Sequence, residues 1–453
     1  MLLPLAVAHA ASLDNLEIGG PWGTPTVNDA TAVWWNPAGI AAGEGTRIQL
    51  EGAPTFATVT QERAAPHGGS DIYTLQGVVP YAGVVSDLGV DGLGVGLGLA
   101  IPFVRGGAET TEPGPGAFHM RDGDSRAIFA MLGAGYEIAD RVAIGVGLAL
   151  VRSSWTARVD TDTLPSLDAA IAAQGEDAGY TDAMLEDPEY TGTLQFGELS
   201  DTTFTFSAGA RVKPVEGLVI GVAYIHGAAV DNTGDVTIAL GCPPETDTVG
   251  RFGAERAGVC DATVHADASV AYVLPNRIHA GVAYSPADAV TLEAMGGWVH
   301  WSVFTDFDIG VHGSDLDNEE GRAMIEQDRL WARANEDSAW FGLDAKGRLG
   351  ERWTFGGRVL YDTAAVPDIA LSSNNYDADA VMLSGLVAYA PTKTLQFGVS
   401  WTHHFLQERE VTDSGFSMTV DGEPTEDRWN YPHANGVYNG TIDRVGIAAR
   451  AAF

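Results

Sequence analysis

Cations are scarce in this chain. Its 453 residues hold 25 Lys plus Arg against 60 Asp plus Glu, and the only lysines are Lys213, Lys346 and Lys393. A net charge of −35 argues against nucleic acid or anionic lipid as a main partner, because both are polyanions. Cysteine is nearly absent. Cys242 and Cys260 flank a segment rich in Pro, Gly and charge that reads as a surface loop. In an exported chain such a pair is expected to form a disulfide rather than a metal or catalytic site, and no neighbouring His or second Cys pair supports zinc. No metal and no cofactor are expected. Long apolar runs are missing too. The uncharged stretches Ile72–Ser86 and Gly92–Val104 fall short of the ~18 residues of a transmembrane helix and are broken by Gly or Pro. There is neither a Gly-x-Ser-x-Gly sequence nor a phosphate loop. If this chain enters a membrane, it does so as strands.

What is present is glycine, 56 residues of it, with 45% apolar residues. That composition suits neither a disordered chain nor a helical bundle. The dominant pattern has period two. In Leu93-Gly94-Val95-Gly96-Leu97-Gly98-Leu99 every odd position is apolar and every even one is Gly, and Leu395, Phe397, Val399 and Trp401 alternate with small or polar residues. A strand puts successive side chains on opposite faces, so each segment has one oily face and one small or polar face. Fourteen such segments centre near residues 52, 78, 98, 131, 149, 207, 223, 274, 299, 343, 357, 384, 400 and 447. Short connections, such as Ala139–Arg141 and Pro391–Thr394, alternate with long ones, near 62–70, 105–124, 159–200, 232–263, 310–336, 364–376 and 408–439. Short turns at one end and long loops at the other are the mark of an outer-membrane β-barrel, and a β-sandwich or propeller lacks that alternation. The reading is an all-β, 14-stranded antiparallel transmembrane barrel. Its termini lie on the short-turn, periplasmic side.

The first ten residues, MLLPLAVAHA, carry an apolar core and an A-x-A cleavage pattern and read as the end of a signal peptide. Residues 11–44 do not alternate and precede a barrel spanning 45–453. Tyr73, Phe103, Trp155, Trp298, Trp301, Trp340, Trp353, Trp401 and Phe405 sit toward segment ends, where interfacial aromatic girdles are expected. The final strand places Val445, Ile447, Ala449, Ala451 and Phe453 on one face. A terminal Phe there resembles an outer-membrane assembly signal, which implies the barrel assembly machinery as a partner.

The stretch Asp29-Ala30-Thr31-Ala32-Val33-Trp34-Trp35-Asn36-Pro37-Ala38-Gly39-Ile40 resembles the N-terminal hatch of the FadL family of outer-membrane transporters for long-chain fatty acids and other hydrophobic compounds. The hatch motif is Asn36, Pro37, Ala38 and Gly39. Further likeness lies in the Gly-rich third strand ending Pro102-Phe103, in Leu274-Pro275 through Trp301-Ser302, in Trp353-Thr354-Phe355 through Val366-Pro367, and in Asn435-Gly436 to Phe453. The resemblance implies a barrel with a plugged lumen, capture of ligand at the extracellular loops, an apolar lumen pocket and exit through the wall, without a cofactor. It makes a hydrophobic small molecule the ligand, and a monomer among outer-membrane lipid and lipopolysaccharide the working state.

Several residues are candidates within that scheme. Pro54, Pro80 and Pro102 fall inside the first three strands, where a missing ladder donor suggests bulges. Pro80 or Pro102 is the expected kink of a lateral opening; the plainer alternative is that Pro102 ends its strand. Arg211, Arg358 and Arg450 point into the lumen, where one could meet a carboxylate headgroup, although a salt-bridge network or a hatch contact is the commoner use. Leu164-Pro165-Ser166 and the Ala/Leu run after it, with Met184 and Leu185 beyond, read as a short helix offering either a greasy capture surface or packing against other loops. Asp315-Leu316-Asp317-Asn318-Glu319-Glu320 departs from a calcium-loop pattern and reads as solvated loop. His403 and His404 must face opposite sides of a strand. A barrel enzyme is the competing reading, since His279, His300, His403 and His433 are scattered along the chain, and a structural surface barrel is a third. A hatch favours the transporter.

Overall fold

The computed structural model describes residues 17–64, 68–109, 121–172, 175, 179–180, 187–326, 328–372, 375–414 and 434–453. The signal-peptide segment, Met184 and Leu185, and most of the last long loop lie outside them. One antiparallel sheet runs through β1 (Thr46–Arg63), β2 (Ser70–Ser86), β3 (Leu93–Glu109), β4 (Asp122–Ile138), β5 (Val142–Asp162), β6 (Thr191–Val212), β7 (Leu218–Ile225), β8 (Ala228–Ala239), β9 (Thr263–Leu274) and β10 (Arg277–Ala287). It continues through β11 (Val290–Val299), β12 (Asp306–His312), β13 (Asp328–Ala332), β14 (Ser338–Leu349), β15 (Trp353–Asp362), β16 (Ala380–Tyr389), β17 (Leu395–Leu406), β18 (Arg409–Val411) and β19 (Gly436–Ala452). The first strand pairs with the last, from Arg47–Ala452 to Arg63–Gly436, so the sheet closes. Five wall strands are each made of two segments: β7 with β8, β9 with β10, β11 with β12, β13 with β14, and β17 with β18. The closed wall therefore has fourteen strands, as the alternation predicted.

The two faces follow the sequence pattern. Along β5, Ile144, Val146, Leu148 and Leu150 are exposed outward, while Ala143, Ala149 and Val151 are buried toward the lumen. An apolar residue left exposed on a soluble barrel would favour aggregation; against hydrocarbon it is the stable choice. The aromatic set divides where the sequence grouped it. Trp298, Trp353, Trp401 and Phe405 are exposed on the outer face, but Tyr73, Phe103, Trp155, Trp301 and Trp340 are buried inside. Position near a strand end does not fix which face a ring takes, and five of the nine expected girdle residues instead fill the interior.

Short turns gather at the end where β1 begins and β19 ends, and there the Phe453 carbonyl accepts from the Thr46 amide at 3.1 Å. The long loops at the other end carry three helices, α2 (Leu164–Ala172), α3 (Thr248–Ala257) and α4 (Glu319–Ile325). A first helix, α1 (Ala32–Trp35), lies in the segment before the barrel. The acidic run is more ordered than a solvated loop. Asn318 caps α4 by accepting from the Glu320 and Gly321 amides, and Glu320 pairs with Arg256 of α3.

The outward face yields a first prediction. Val146, 62 % exposed in the middle of the oily belt, should lose about 2–4 kcal/mol of stability as Val146→Arg in lipid vesicles. Denaturant unfolding in vesicles measures it, and a change well under 1 kcal/mol would contradict a lipid-facing position.

Candidate functional site

Residues 17–44 contain no strand and bond to the inner wall on several sides. The tightest seat belongs to the Asn36-Pro37-Ala38 turn. The Asn36 amide donates to the carbonyls of Pro25 (2.9 Å) and of Ala210 in β6 (3.1 Å), and its Oδ1 accepts from the Ala38 amide, capping a short 3-10 turn over Pro37–Ile40. Such a turn fits against the wall only where the wall has no side chain. A Cβ on Gly145 would stand 2.2 Å from the Pro37 carbonyl carbon, and one on Gly209 would stand 2.1 Å from Asn36 Oδ1. The small face of the Gly-rich strands is thus the bed of the hatch. Trp35 donates to the Ile18 carbonyl at 2.7 Å, and Tyr81 of β2 donates to that of Ala30 at 2.6 Å.

All three candidate arginines reach the same segment. Arg211 donates to the Thr26 carbonyl at 3.0 Å. Arg358 donates to the carbonyls of Pro21 (2.9 Å) and Gly23 (3.0 Å) and pairs with Asp344 at 3.0 Å. Arg450 pairs with Asp29 and lies over the Trp22 ring. Their donors are directed at hatch backbone and carboxylates, so the geometry gives them an anchoring role instead of the carboxylate-ligand role. Sequence reasoning missed a second anchor. Glu17 Oε1 accepts from Thr402 (2.7 Å) and Ser384 (3.1 Å), and its Oε2 lies 3.7 Å from His404 and 4.0 Å from Arg444; Arg444 also reaches Glu51 at 3.5 Å. Burial by itself raises the Glu17 pKa, but His404, Arg444 and Thr402 outweigh it and hold the carboxyl well below the usual range. His403 faces the other way, to Asp443 at 2.9 Å on the outside.

Above the hatch the lumen is apolar and aromatic. Phe103, Trp301, Phe304, Phe307, Tyr272 and Trp155 form a chain of ring contacts with centroids 5.0–6.3 Å apart. Buried cations sit against them: Arg333 lies 4.5 Å from the Phe307 ring, and Arg277 lies 5.4 Å from the Trp34 ring of the hatch and 4.6 Å from the Phe103 ring of β3. Alternation could not have placed Arg277. Inward residues of β9 are even-numbered and those of β10 odd-numbered, because the Pro275–Asn276 break changes the parity between them.

The wall beside this cluster is interrupted. From β2 to β3 the register runs from Ser86–Val95 to Tyr81–Ala100, then resumes only at Thr74–Ala108, leaving residues 75–80 and 101–107 without register partners on that side. The extra residue lies at Ile101–Pro102, where the register of β3 against β4 also slips by one, between Ala100–Phe129 and Phe103–Ala127. Pro102 does not end the strand, which continues to Glu109. Proline brings no ladder donor to a position where one extra residue already breaks the ladder on both sides. Pro80 lies in the same interruption, yet its register with Gly52 of β1 is intact.

At the loop end a pocket of about 60 Å³ opens between three helices, lined by Leu167 of α2, Ala254 of α3, Met324 and Ile325 of α4, and Leu240 and Val259. The Leu164, Leu167 and Ile171 face of α2 is buried against this group, so the helix both packs and lines. Cys242 and Cys260 are joined by a disulfide that brackets α3. Asp247 caps α3 through the Gly250 amide and accepts from Tyr180 (2.6 Å) and Tyr190 (3.0 Å); burial and this carboxylate push both phenols up.

A closed barrel with an oily outer belt, an N-terminal segment seated inside it on glycines and an interrupted wall defines a class: an outer-membrane barrel with a filled interior. The chain belongs to the family described as outer membrane protein transport protein (OMPP1/FadL/TodX), whose model matches residues 19–433. Among solved structures it is similar to a Pseudomonas aeruginosa FadL homologue, with 16% identity, a TM-score of 0.76, and 99% of this chain and 100% of that one covered. It is also similar to the CymD monoaromatic hydrocarbon channel (16%, TM-score 0.64, 99% and 99%) and to the Ralstonia pickettii toluene transporter TbuX (18%, TM-score 0.64, 97% and 99%). No curated protein sequence matches the chain. The relatives are transport channels, so the barrel-enzyme reading is not favoured.

The hatch seat predicts two outcomes. Asn36→Ala strands two buried carbonyls, each worth about 1–3 kcal/mol, and should loosen the hatch enough to admit small polar dyes that the parent barrel excludes. Dye influx into cells or vesicles checks it; an unchanged influx would deny the hatch its blocking role. The pH effect has a definite sign. A depressed carboxyl pKa contributes stability above the ordinary range and loses it only as pH falls through the folded value. Influx should therefore stay low from pH 8 to pH 5 in the parent and rise over that whole span in Glu17→Gln.

Proposed function

We propose that the protein is a passive channel by which hydrophobic small molecules, long-chain fatty acids foremost, enter the outer membrane from outside. One observation carries this reading: a single cluster of buried apolar and aromatic side chains extends from the loop pocket to the wall interruption at Ile101–Pro102, with the N-terminal segment seated against it. A fatty acid cannot partition directly through a lipopolysaccharide layer. Each methylene moved from water to an apolar path gains about 0.8 kcal/mol, so a continuous greasy path suffices to draw a tail inward without energy coupling. Backbone without ladder partners at membrane depth is tolerated where it faces a cavity or a ligand, which suits an exit at Ile101–Pro102. Arg277, buried against Trp34 and Phe103 beside that exit, is the group suited to a carboxylate headgroup. The loop pocket between α2, α3 and α4 suits first capture. The CymD and TbuX likenesses favour a second substrate class, monoaromatic hydrocarbons.

Uptake of labelled oleate and of toluene by cells lacking their own channel tests the function, and no gain for either would overturn it. Deleting Pro102 removes the extra residue that breaks register with both neighbours, so the ladder should close and uptake of both compounds fall at least about tenfold with the barrel still assembled. Arg277→Met should reduce oleate uptake and spare toluene. Equal loss of both would remove Arg277 from headgroup recognition.

A further inference from the structure

The wall carries a second interruption, on the far side of the Gly-rich strands. Between β6 and the strand formed by β7 and β8, register is intact from Thr193–Ala239 to Phe196–Val236 and again from Ser207–Ile225 to Val212–Ile220. Between those stretches a single pair remains, Ser200–Thr233, one residue out of step with both. The His226 amide still donates to the Phe206 carbonyl at 2.9 Å, so residues 201–205 and 227–232 face each other without register partners, a gap close in length to the one between β2 and β3. Two side-chain features hold it together. The Thr205 hydroxyl reaches the carbonyls of His226 (2.7 Å) and Gly227 (3.1 Å), and Asp201 accepts from the Asp231 amide at 3.0 Å. A hydroxyl has one proton, so Thr205 serves these two carbonyls by sharing it.

The position matters as much as the gap. Phe204 and Phe206 are exposed on the outer face at its lower end, within the oily belt, and Asp201 and Asp231 lie at its upper end. Next to it is a cavity of about 20 Å³ lined by Trp34 of the hatch and by Leu132, Leu148, Ala149, Thr205 and Phe206 of the wall. It lies against β4, β5 and β6, whose mutual register is intact there, and meets the gap at Thr205. Its volume admits about one water-sized particle, so passage of a ligand requires it to widen. Widening is resisted at the lumen edge by the Thr205 contacts to His226 and Gly227.

We propose that this second interruption is a further lateral window, closed by Thr205, through which small apolar molecules such as monoaromatic hydrocarbons pass between the lumen and the outer leaflet. The proposal rests on the reading that the barrel transports hydrophobic molecules, and it adds a route separate from Ile101–Pro102. It accounts for the unmatched backbone at membrane depth, which a purely structural wall strand has no reason to keep. Trp34 of the hatch lines this cavity and also contacts Arg277 beside the first opening, so one hatch residue borders both.

The test uses the full-length protein with Cys242→Ser and Cys260→Ser, so that a new cysteine pair stands alone. Thr203→Cys with Val230→Cys oppose each other when the Ser200–Thr233 register is continued, and a disulfide there staples the window. Uptake of toluene and oleate is compared with the staple oxidised and reduced, in the parent and in the Pro102 deletion. The expected result is that oxidation abolishes the residual toluene uptake of the Pro102 deletion and that reduction restores it. A toluene-sized diazirine probe should also label β6 near Thr205 and Phe206 in the reduced protein only. Thr205→Val should raise toluene uptake about twofold or more through loss of the closing contacts. If the Pro102 deletion has no residual uptake, or if the staple leaves both uptake and labelling unchanged, the window is refuted while the channel function stands. No uptake by the parent would refute the function itself.

Discussion

The structure depends on one constraint: inside a membrane each backbone N–H and C=O must find its partner within the protein. A sheet meets this only by closing, and the pairing of β1 with β19 does so over the length of both strands. The same constraint gives departures from the ladder their meaning. In water, an unmatched run of strand can be satisfied by solvent at little cost. At membrane depth it persists only next to a cavity, a side-chain substitute or a ligand. The gaps at Ile101–Pro102 and at Thr205 each lie beside the buried ring cluster or a cavity that reaches it, and at the second a threonine hydroxyl stands in for ladder donors.

A plug inside such a barrel raises a second problem, since its own backbone must be matched without a sheet. The solution is reciprocal. Wall strands give up side chains at Gly145 and Gly209 so that the Asn36 turn can approach their backbone, and long wall side chains, Arg211, Arg358 and Arg450, come inward to satisfy hatch carbonyls and carboxylates. Beside Arg358 and Arg450 the direction reverses, and Glu17 of the hatch reaches out to Ser384, Thr402, His404 and Arg444. Much of the small stock of cations in the chain is spent inside. Lys213 and Lys346 pair with Glu137 and Asp344.

Much of this was legible in the sequence. Alternation located all fourteen wall strands, and the alternation of loop lengths located the ends. The face assignment of Arg211, Arg358 and Arg450 was right, because each lies on an unbroken run of period two, but their partners were not legible, because those lie 185 to 421 residues away in sequence. The aromatic girdle was half misjudged. Trp301 follows the end of β11, so its face could not be counted from its neighbours, whereas Trp155 keeps the odd, inward parity of Ala149 and Val151 on β5 and was countable. Arg277 was missed for the same reason as Trp301.

The sequence by itself determined the class of fold, the strand count and the outer-membrane setting. These follow from local periodicity, which needs only that side chains alternate on a strand. Tertiary structure decided which irregularities matter. A proline, a parity change or a threonine on a strand has no sign of its own. It becomes an opening, a headgroup contact or a latch only when barrel closure sets a distant strand, the hatch and a cavity against it, and the register between strands is a property of their packing together.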